Sequence, residues 1–518
     1  MKMNMNSKMH TVMRKYIYTI MAGAAILASC TKENAHEVLN ESTEGVTTGI
    51  TTLNVSTDEA TKTVVSSEDN TRILWEAGDQ IVAFSQCDSD DPLGGMIKYS
   101  VLYSLKEGAG TTSGTFEMES DPRYSSVDII YTIVYPSDAF VTAYGNFGLR
   151  DHIRCTIPTV QKARKGSFDK AAAVMYALPE HFTFQEDDIA NLQLKYAVNF
   201  LKVTVSETEH VSSIKISSSN ALTGNVEISK DGIQPSDRDT EKYVVLKAED
   251  GQVMEPGDYY IAVMSGTIEK PVITYRFDHS IKTKAGSGSI TFAEGKNVKP
   301  IRVDFSNGDV SGAVQLWAGG PYWSVKNVGA QSPTEPGYYF SWGNTTGYVW
   351  DAVKSKWKVA PKYSGAGNVL SGGFSKSNYA STSGNSIARN LQANASEDAA
   401  VAAWGSDWRM PTKAEADGFN NNVSSKLSTD QTYYTVTGKG DYSGDYIILP
   451  VTHYGYNENL QDTFYSATCW TSTYATNQAG DHKPYRFLCS SDQTLPRVSQ
   501  ILAMNGLNIR PVLVNTDF

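Results

Sequence analysis

Across residues 51–306, apolar and polar positions alternate in short runs. Thr52-Leu53-Asn54-Val55 does so, as do Leu201-Lys202-Val203-Thr204-Val205 and Ile214-Lys215-Ile216-Ser217. Other runs are continuously apolar. Ile73-Leu74-Trp75 and Gln80-Ile81-Val82-Ala83-Phe84 flank the turn-like Glu76-Ala77-Gly78-Asp79, and the run from Asp128 to Tyr135 is stopped by Pro136. Tyr259-Tyr260-Ile261-Ala262-Val263 follows Pro256-Gly257, and Val272-Ile273-Thr274-Tyr275 follows Pro271. A period of two marks half-buried strands, and frequent turn residues between short runs mark hairpins. No helical period is sustained here. The pattern predicts an all-β body of sandwich type. Its length accommodates two sandwiches, 51–178 and 179–306, divided where Ala177 to Phe182 interrupts the pattern.

Beyond this body the chain changes character. Ser306-Asn307-Gly308-Asp309-Val310-Ser311-Gly312 is polar and glycine-containing, so 307–312 reads as a linker. Trp75 is the only tryptophan before it; Trp317, Trp323, Trp342, Trp350, Trp357, Trp404, Trp408 and Trp470 all follow. Residues 313–518 therefore form a separate module. The alanine-rich segment 397–403 predicts a short helix stopped near Gly405, and Thr412 with Glu415 predicts a capping box on a second.

At the other end, Arg14 and Lys15 precede an apolar run from Tyr16 to Ser29. The run is shorter than the roughly 20 residues of a membrane span. Basic residues, a short apolar core and small residues in order predict a cleaved secretory signal over 1–29, then a flexible segment over 30–50. Leu27-Ala28-Ser29-Cys30 resembles the lipobox of bacterial lipoprotein precursors. That resemblance implies acylation of Cys30, with the outer membrane as partner and the cell surface as destination.

Composition narrows the function. Charged residues make up 19% of the chain while Gly (41) and Tyr (29) are abundant, which favours exported β-structure. Residues 1–312 hold 30 Lys/Arg against 41 Asp/Glu, and 313–518 hold 15 of each. An acidic body with no basic patch argues against nucleic acid as a partner. Besides Cys30 there are Cys87, Cys155, Cys469 and Cys489, too few for a disulfide framework. Cys469 and Cys489 are close enough in sequence to bridge neighbouring strands or to lie as two buried thiols. Cys87 and Cys155 read as unpaired core residues.

The body resembles the fimbrillin family of Bacteroides-type pilins. The resemblance rests on Thr61-Lys62-Thr63, Trp75-Glu76-Ala77-Gly78-Asp79-Gln80-Ile81, Val134-Tyr135-Pro136, Ile157-Pro158 with Gln161, Gly166-Ser167-Phe168-Asp169, Met175-Tyr176-Ala177, Tyr259-Tyr260-Ile261-Ala262-Val263 and Phe292-Ala293-Glu294-Gly295-Lys296. It implies two tandem transthyretin-like sandwiches, association with other fimbrial subunits, and assembly by strand exchange after proteolysis. Lys62 and Arg72 are the candidate cleavage positions. The module 313–518 resembles the FISUMP-type major paralogous domain, related to C-type-lectin-like and formylglycine-enzyme-like folds. It does so through Trp323-Ser324-Val325-Lys326-Asn327, Gly337-Tyr338-Tyr339-Phe340-Ser341-Trp342-Gly343, Trp408-Arg409-Met410-Pro411 and Leu507-Asn508-Ile509-Arg510-Pro511-Val512. That implies an α+β domain in which Trp404, Trp408, Arg409, Pro411 and Arg510 are scaffold, the two arginines buried and paired. The fold class expected for the whole is mainly β: two sandwiches followed by an α+β C-type-lectin-like domain.

The residues of catalysis are not assembled in the sequence. The eight histidines show no metal-ligand spacing, and neither a His-Glu-x-x-His, a nucleophile elbow nor a phosphate loop occurs. The formylglycine-forming cysteine motif is not matched around Cys469 and Cys489. The expectation is a non-enzyme without a cofactor. Glu335-Pro336 and Trp470 lack the residues that complete the calcium motifs of lectins. Asp441, Asp445 and Asp462 remain as candidate oxygen ligands for Ca²⁺, and Tyr442, Tyr454, Tyr456, Tyr465 and Tyr474 as candidate ligand-binding aromatics. The expected function is an accessory, tip-located fimbrial adhesin whose C-terminal module binds a glycan or protein on another surface. Its closing Ile509-Arg510-Pro511-Val512 looks integral to the module, not free for donation. The alternatives are a lipid-anchored surface binding protein outside any pilus and a formylglycine-type modifying enzyme.

Overall fold

A computed structural model of the chain describes residues 50–57, 74–87, 98–120, 127–144, 152–178, 192–207, 210–292, 298–305, 310–374, 389–391, 396–461, 465–476, 482–491, 496–514 and 516. The protein is mainly β, as the alternation predicts. The first sandwich is closed at its edges. Seven strands follow one another around a barrel in the order Thr52–Thr57, Leu192–Tyr196, Met175–Ala177, Val127–Tyr135, Gln80–Cys87, Lys98–Glu107 and Ser113–Met118, which returns to the first. A four-stranded sheet of Gly232–Glu241, Thr223–Ser229, His152–Ile157 and Phe140–Tyr144 shares its core. Alternate residues of these strands enter that core: Leu53 and Val55 from one, Ile153, Cys155 and Ile157 from another.

The second sandwich packs Val198–Val205, Gly257–Met264 and Val298–Pro300 against a larger sheet. Leu201, Val203, Tyr259 and Ile261 on one side meet Ile214, Ile216, Val244 and Tyr275 on the other. The divide expected at 178/179 is crossed in both directions. His152–Ile157 takes Thr223–Ser229 as its neighbour, while Val160–Lys162, only Pro158-Thr159 later, pairs in parallel with Tyr243–Lys247. The two bodies thus trade strands instead of meeting at a loop.

The linker expected over 307–312 is corrected from Val310 on; 307–309 lie outside the described residues. From Val310 the chain is a strand, Val310–Gln315, antiparallel to Ser280–Ala285, with Lys284 opposite Val310 and Ser280 opposite Val314. Gly312 is there for closeness: a Cβ on it would stand 2.4 Å from the Ile281 carbonyl oxygen. This strand carries the sheet of the second sandwich into the C-terminal module. Nine strands run in the order Trp408–Arg409, Val512–Leu513, Tyr322–Ser324, Val310–Gln315, Ser280–Ala285, Val272–Phe277, Val211–Ser217, Tyr243–Lys247 and Val160–Lys162. Polar and glycine composition signalled a break; main-chain pairing overrode it. Gly49–Phe518 form one compact unit.

The module beyond has short helices beside small sheets. The helix Ala399–Trp404 begins at Asp398, whose side chain accepts from Ala400 N and Val401 N, and ends at Gly405 with φ 93°. The helix Lys413–Asp417 carries the expected capping box between Thr412 and Glu415. Trp323, Trp342, Trp357 and Trp470 are fully buried pillars. Three donate their indole N–H to backbone, Trp342 to Thr471 O (2.8 Å), Trp470 to Phe340 O (2.7 Å) and Trp357 to Asn459 O (3.3 Å). Among the described residues no helix is long and apolar enough to cross a membrane.

Candidate functional site

The first strand, Thr52–Thr57, closes the barrel. It pairs in parallel with Leu192–Tyr196 on one side and antiparallel with Ser113–Met118 on the other. Leu53 and Val55 point inward with 0% and 1% exposure. Just before them, Ile50 N donates to Val127 O (2.7 Å), and its carbonyl accepts from Tyr103 OH (2.9 Å). Taking this strand away would leave two unpaired sheet edges flanking an exposed core. Such a groove accepts an added strand through main-chain hydrogen bonds. Lys62 and Arg72 follow it in sequence but lie outside the described residues, as does Cys30.

The scattered motifs of the body meet in one place. Trp75 sits edge-on to Tyr135 and Phe116, ring centroids 5.3 and 5.0 Å away. Asp79, 6% exposed, accepts from Tyr135 OH (3.1 Å), Lys170 Nζ (3.0 Å) and Glu76 N (2.7 Å). Burial first, then the Asp79 carboxylate, push the Tyr135 hydroxyl well above its usual range. Asp169 accepts from Lys162 N and Ala171 N. The Gln161 amide doubles onto the backbone of Ala262, accepting at 2.9 Å and donating at 2.8 Å. Residues read in sequence as separate markers are a hydrogen-bonded knot that joins the barrel to Gly257–Met264.

In the C-terminal module the two arginines behave differently. Arg409 forms a bidentate pair with Glu415, at 2.8 and 2.6 Å. Burial pushes the Glu415 carboxyl up, but Arg409 and the Thr412 amide outweigh it, so the net shift is downward. A carboxylate depressed in the fold stabilises it above its unfolded value, and that contribution is lost as pH falls below it. Glu415→Gln is therefore expected to weaken the acid dependence of the module's melting below about pH 4.5, read by tryptophan fluorescence. Asp398, buried, works in the opposite direction: burial raises its carboxyl and so penalises the ionised form.

Arg510 is fully buried, and its expected partner is not a carboxylate. Its guanidinium donates to Asn327 Oδ1 (2.8 Å), Ser324 O (2.8 Å) and Ile448 O (2.6 Å). Burial lowers its pKa to about 10, so the charge persists at neutral pH. Asn327 in turn donates to Pro336 O (2.9 Å), as does Asn508 (2.8 Å). Sequence reasoning missed these acceptors because two are main-chain carbonyls, which leave no residue signature.

The expected ligand residues separate. Tyr474 is core, 4% exposed and stacked on Trp342 at 5.1 Å. Tyr442 stacks on His279 at 4.1 Å, and Asp445 accepts from or pairs with the same imidazole at Nδ1 (2.8 Å). Those two are therefore contacts between module and second sandwich, not free ligands. Asp441 is exposed on a 3₁₀ turn, Asp462 lies outside the described residues, and no metal-ligating cluster of three occurs among the described residues. Tyr454 is partly buried against the core, whereas Tyr456 and Tyr465 are exposed at 37% and 52%. Of the two readings of Cys469 and Cys489, a bridge or two buried thiols, the second is found. Cys489 pairs in register with Ala467 and Cys469 with Phe487, so the two thiols stand diagonally and are free. Both are buried, and burial pushes Cys469 to about 12 and Cys489 higher still.

No protein-family model and no curated protein matches the chain. Among solved structures it is similar to the tip fimbrial protein Mfa3 from Porphyromonas gingivalis with C-terminal truncation. Identity is 11%, the likeness covers 44% of this chain and 78% of that one, and the TM-score is 0.21.

Proposed function

We propose that this protein is a cell-surface accessory subunit of a fimbria, assembled by strand exchange, with a C-terminal module that presents a recognition surface. The observation that carries this reading is the seat of Thr52–Thr57. One short segment, entered from the N-terminal side and followed within a few residues by Lys62, closes a barrel between two strands distant in sequence. Its removal creates an acceptor without dismantling any other strand. The fimbrillin resemblance implies the same use, with Cys30 as the lipid that carries the precursor to the outer membrane and is shed with the strand. Val512–Leu513 is held on both edges, by Tyr322–Ser324 and Trp408–Arg409. It cannot be given to a neighbour without opening the nine-stranded sheet. Tyr456 and Tyr465 are the recognition aromatics of this reading. The module is read as non-catalytic: Cys469 and Cys489, where a formylglycine-type enzyme needs a reactive thiol, are buried and far from ionising.

Cleavage with a protease specific for Lys and Arg tests the reading. Release of the segment through Thr57 is expected to raise hydrogen exchange in Ser113–Met118 and Leu192–Tyr196. A peptide of residues 50–57 should restore protection, and the same peptide carrying Leu53→Asp should not. Retention of the cleaved strand, or failure of the peptide to bind, would favour the lipid-anchored protein outside a pilus.

A further inference from the structure

The outward face of the nine-stranded sheet holds a cleft of about 190 Å³ at the junction of the second sandwich and the C-terminal module. Its floor is polar and comes from the sandwich. Lys215, Thr274, Thr283 and Ser311 stand in register on four neighbouring strands, with Ser217 one pleat away. Its wall is apolar and comes largely from the module. Trp408 and Leu513, opposite each other in register, pack on Ile281, Ala313 and Tyr322. Asp407 stands at the rim beside Trp408. The Thr274 and Thr283 hydroxyls are 3.0 Å apart. Their mutual hydrogen bond leaves one donor and three lone pairs for a ligand.

Three properties select the occupant. An indole beside hydroxyls suits a molecule with one apolar face and a rim of hydroxyls. Lys215 and Asp407 carry opposite charges, so neither an anion nor a cation meets a complementary field; the Lys215 ammonium also lies over the Tyr243 ring at 4.7 Å. The volume falls below that of drug-sized sites, roughly 300 Å³ and upward, and is suited to a single ring. We infer that this cleft binds one neutral pyranose residue of a glycan, seated against Trp408 with its hydroxyls on Thr274, Thr283, Ser217 and Asp407. The site is shared by two modules, is distinct from Tyr456 and Tyr465, and does not depend on fimbrial assembly.

The test uses the full chain, unassembled, titrated by calorimetry with the methyl glycosides of glucose, galactose, mannose and N-acetylglucosamine, and with glucuronate and inorganic phosphate. At least one neutral glycoside is expected to bind. The double variant Thr274→Val/Thr283→Val keeps β-branched side chains in the sheet and should lower affinity about tenfold with unchanged melting. Trp408→Ala should abolish binding; should it fail to fold, the threonine pair decides. Val353→Ala, at an exposed hairpin tip, should leave binding unchanged. Binding of none of the neutral glycosides, binding of glucuronate or phosphate alone, or indifference to the threonine pair would overturn the site. Loss of sugar binding on Tyr456→Ala/Tyr465→Ala, with the threonine pair silent, would overturn the cleft while leaving the fimbrial reading intact.

Discussion

Arg510→Met is expected to cost the C-terminal module about 4 kcal/mol, the largest effect of any single substitution considered. Methionine fills most of the volume and removes a buried charge, which by itself would be neutral or favourable. The loss comes from what remains. Ser324 O and Ile448 O would lose the Arg510 donor, and Asn327 Oδ1 would keep only the long contact from the Cys469 thiol (4.0 Å). An orphaned buried polar group costs roughly 1–3 kcal/mol. Arg510→Lys should rescue little, because one ammonium lacks the planar fork that reaches three divergent acceptors. Eight of the nine tryptophans lie in this module, so urea unfolding followed by tryptophan fluorescence reports on it directly. A midpoint within experimental error of the parent would show that these acceptors find other donors, and that Arg510 is not the centre of the network.

Asp79→Ala should be the comparable lesion in the body, at about 3 kcal/mol. It strips the partner from Tyr135 OH, whose residue is 1% exposed, leaves Lys170 with Glu76 as its one carboxylate, and unlatches the turn through Glu76 N. Asp79→Asn keeps an acceptor for Tyr135 and removes one of the two carboxylates on Lys170, and should fall between the parent and Asp79→Ala. Hydrogen exchange along Gln80–Cys87 and Val127–Tyr135 is the measurement, since both strands start or end at the latch. Exchange unchanged in Asp79→Ala would mean that Trp75 packing alone holds the knot.

Local signals were legible in the sequence, and non-local ones were not. Gly405, Thr412 and Glu415 cap helices within a few residues of themselves, so capping chemistry predicts them correctly, whereas Asp398, read as helical, is the N-cap and also holds Met410 N. Strand positions follow from the period of two, and the mainly β class follows from the strands. Register between distant segments has no such signature. Nothing in Ser311-Gly312 announces that they pair with Lys282 and Thr283, and the polar composition suggested a linker instead. Tyr474 and Asp445 failed as ligand residues for the same reason. A tyrosine among small polar residues looks the same whether it stacks on Trp342 or faces solvent. Asp79 and Tyr135 were visible as sequence markers, but that Asp79, Tyr135 and Lys170 touch could be learned only from the fold.

The sheet that continues through Val310–Gln315 has a mechanical consequence. A tethered head straightens its tether under tension and turns freely before any bond is strained. Here the head and the body share hydrogen-bonded strands, so a pull on one loads the other at once. Five registered residue pairs between Ser280–Ala285 and Val310–Gln315 bear that load together. The protein therefore transmits force as a stiff beam, and any ligand held by its head is gripped in a fixed orientation relative to the body.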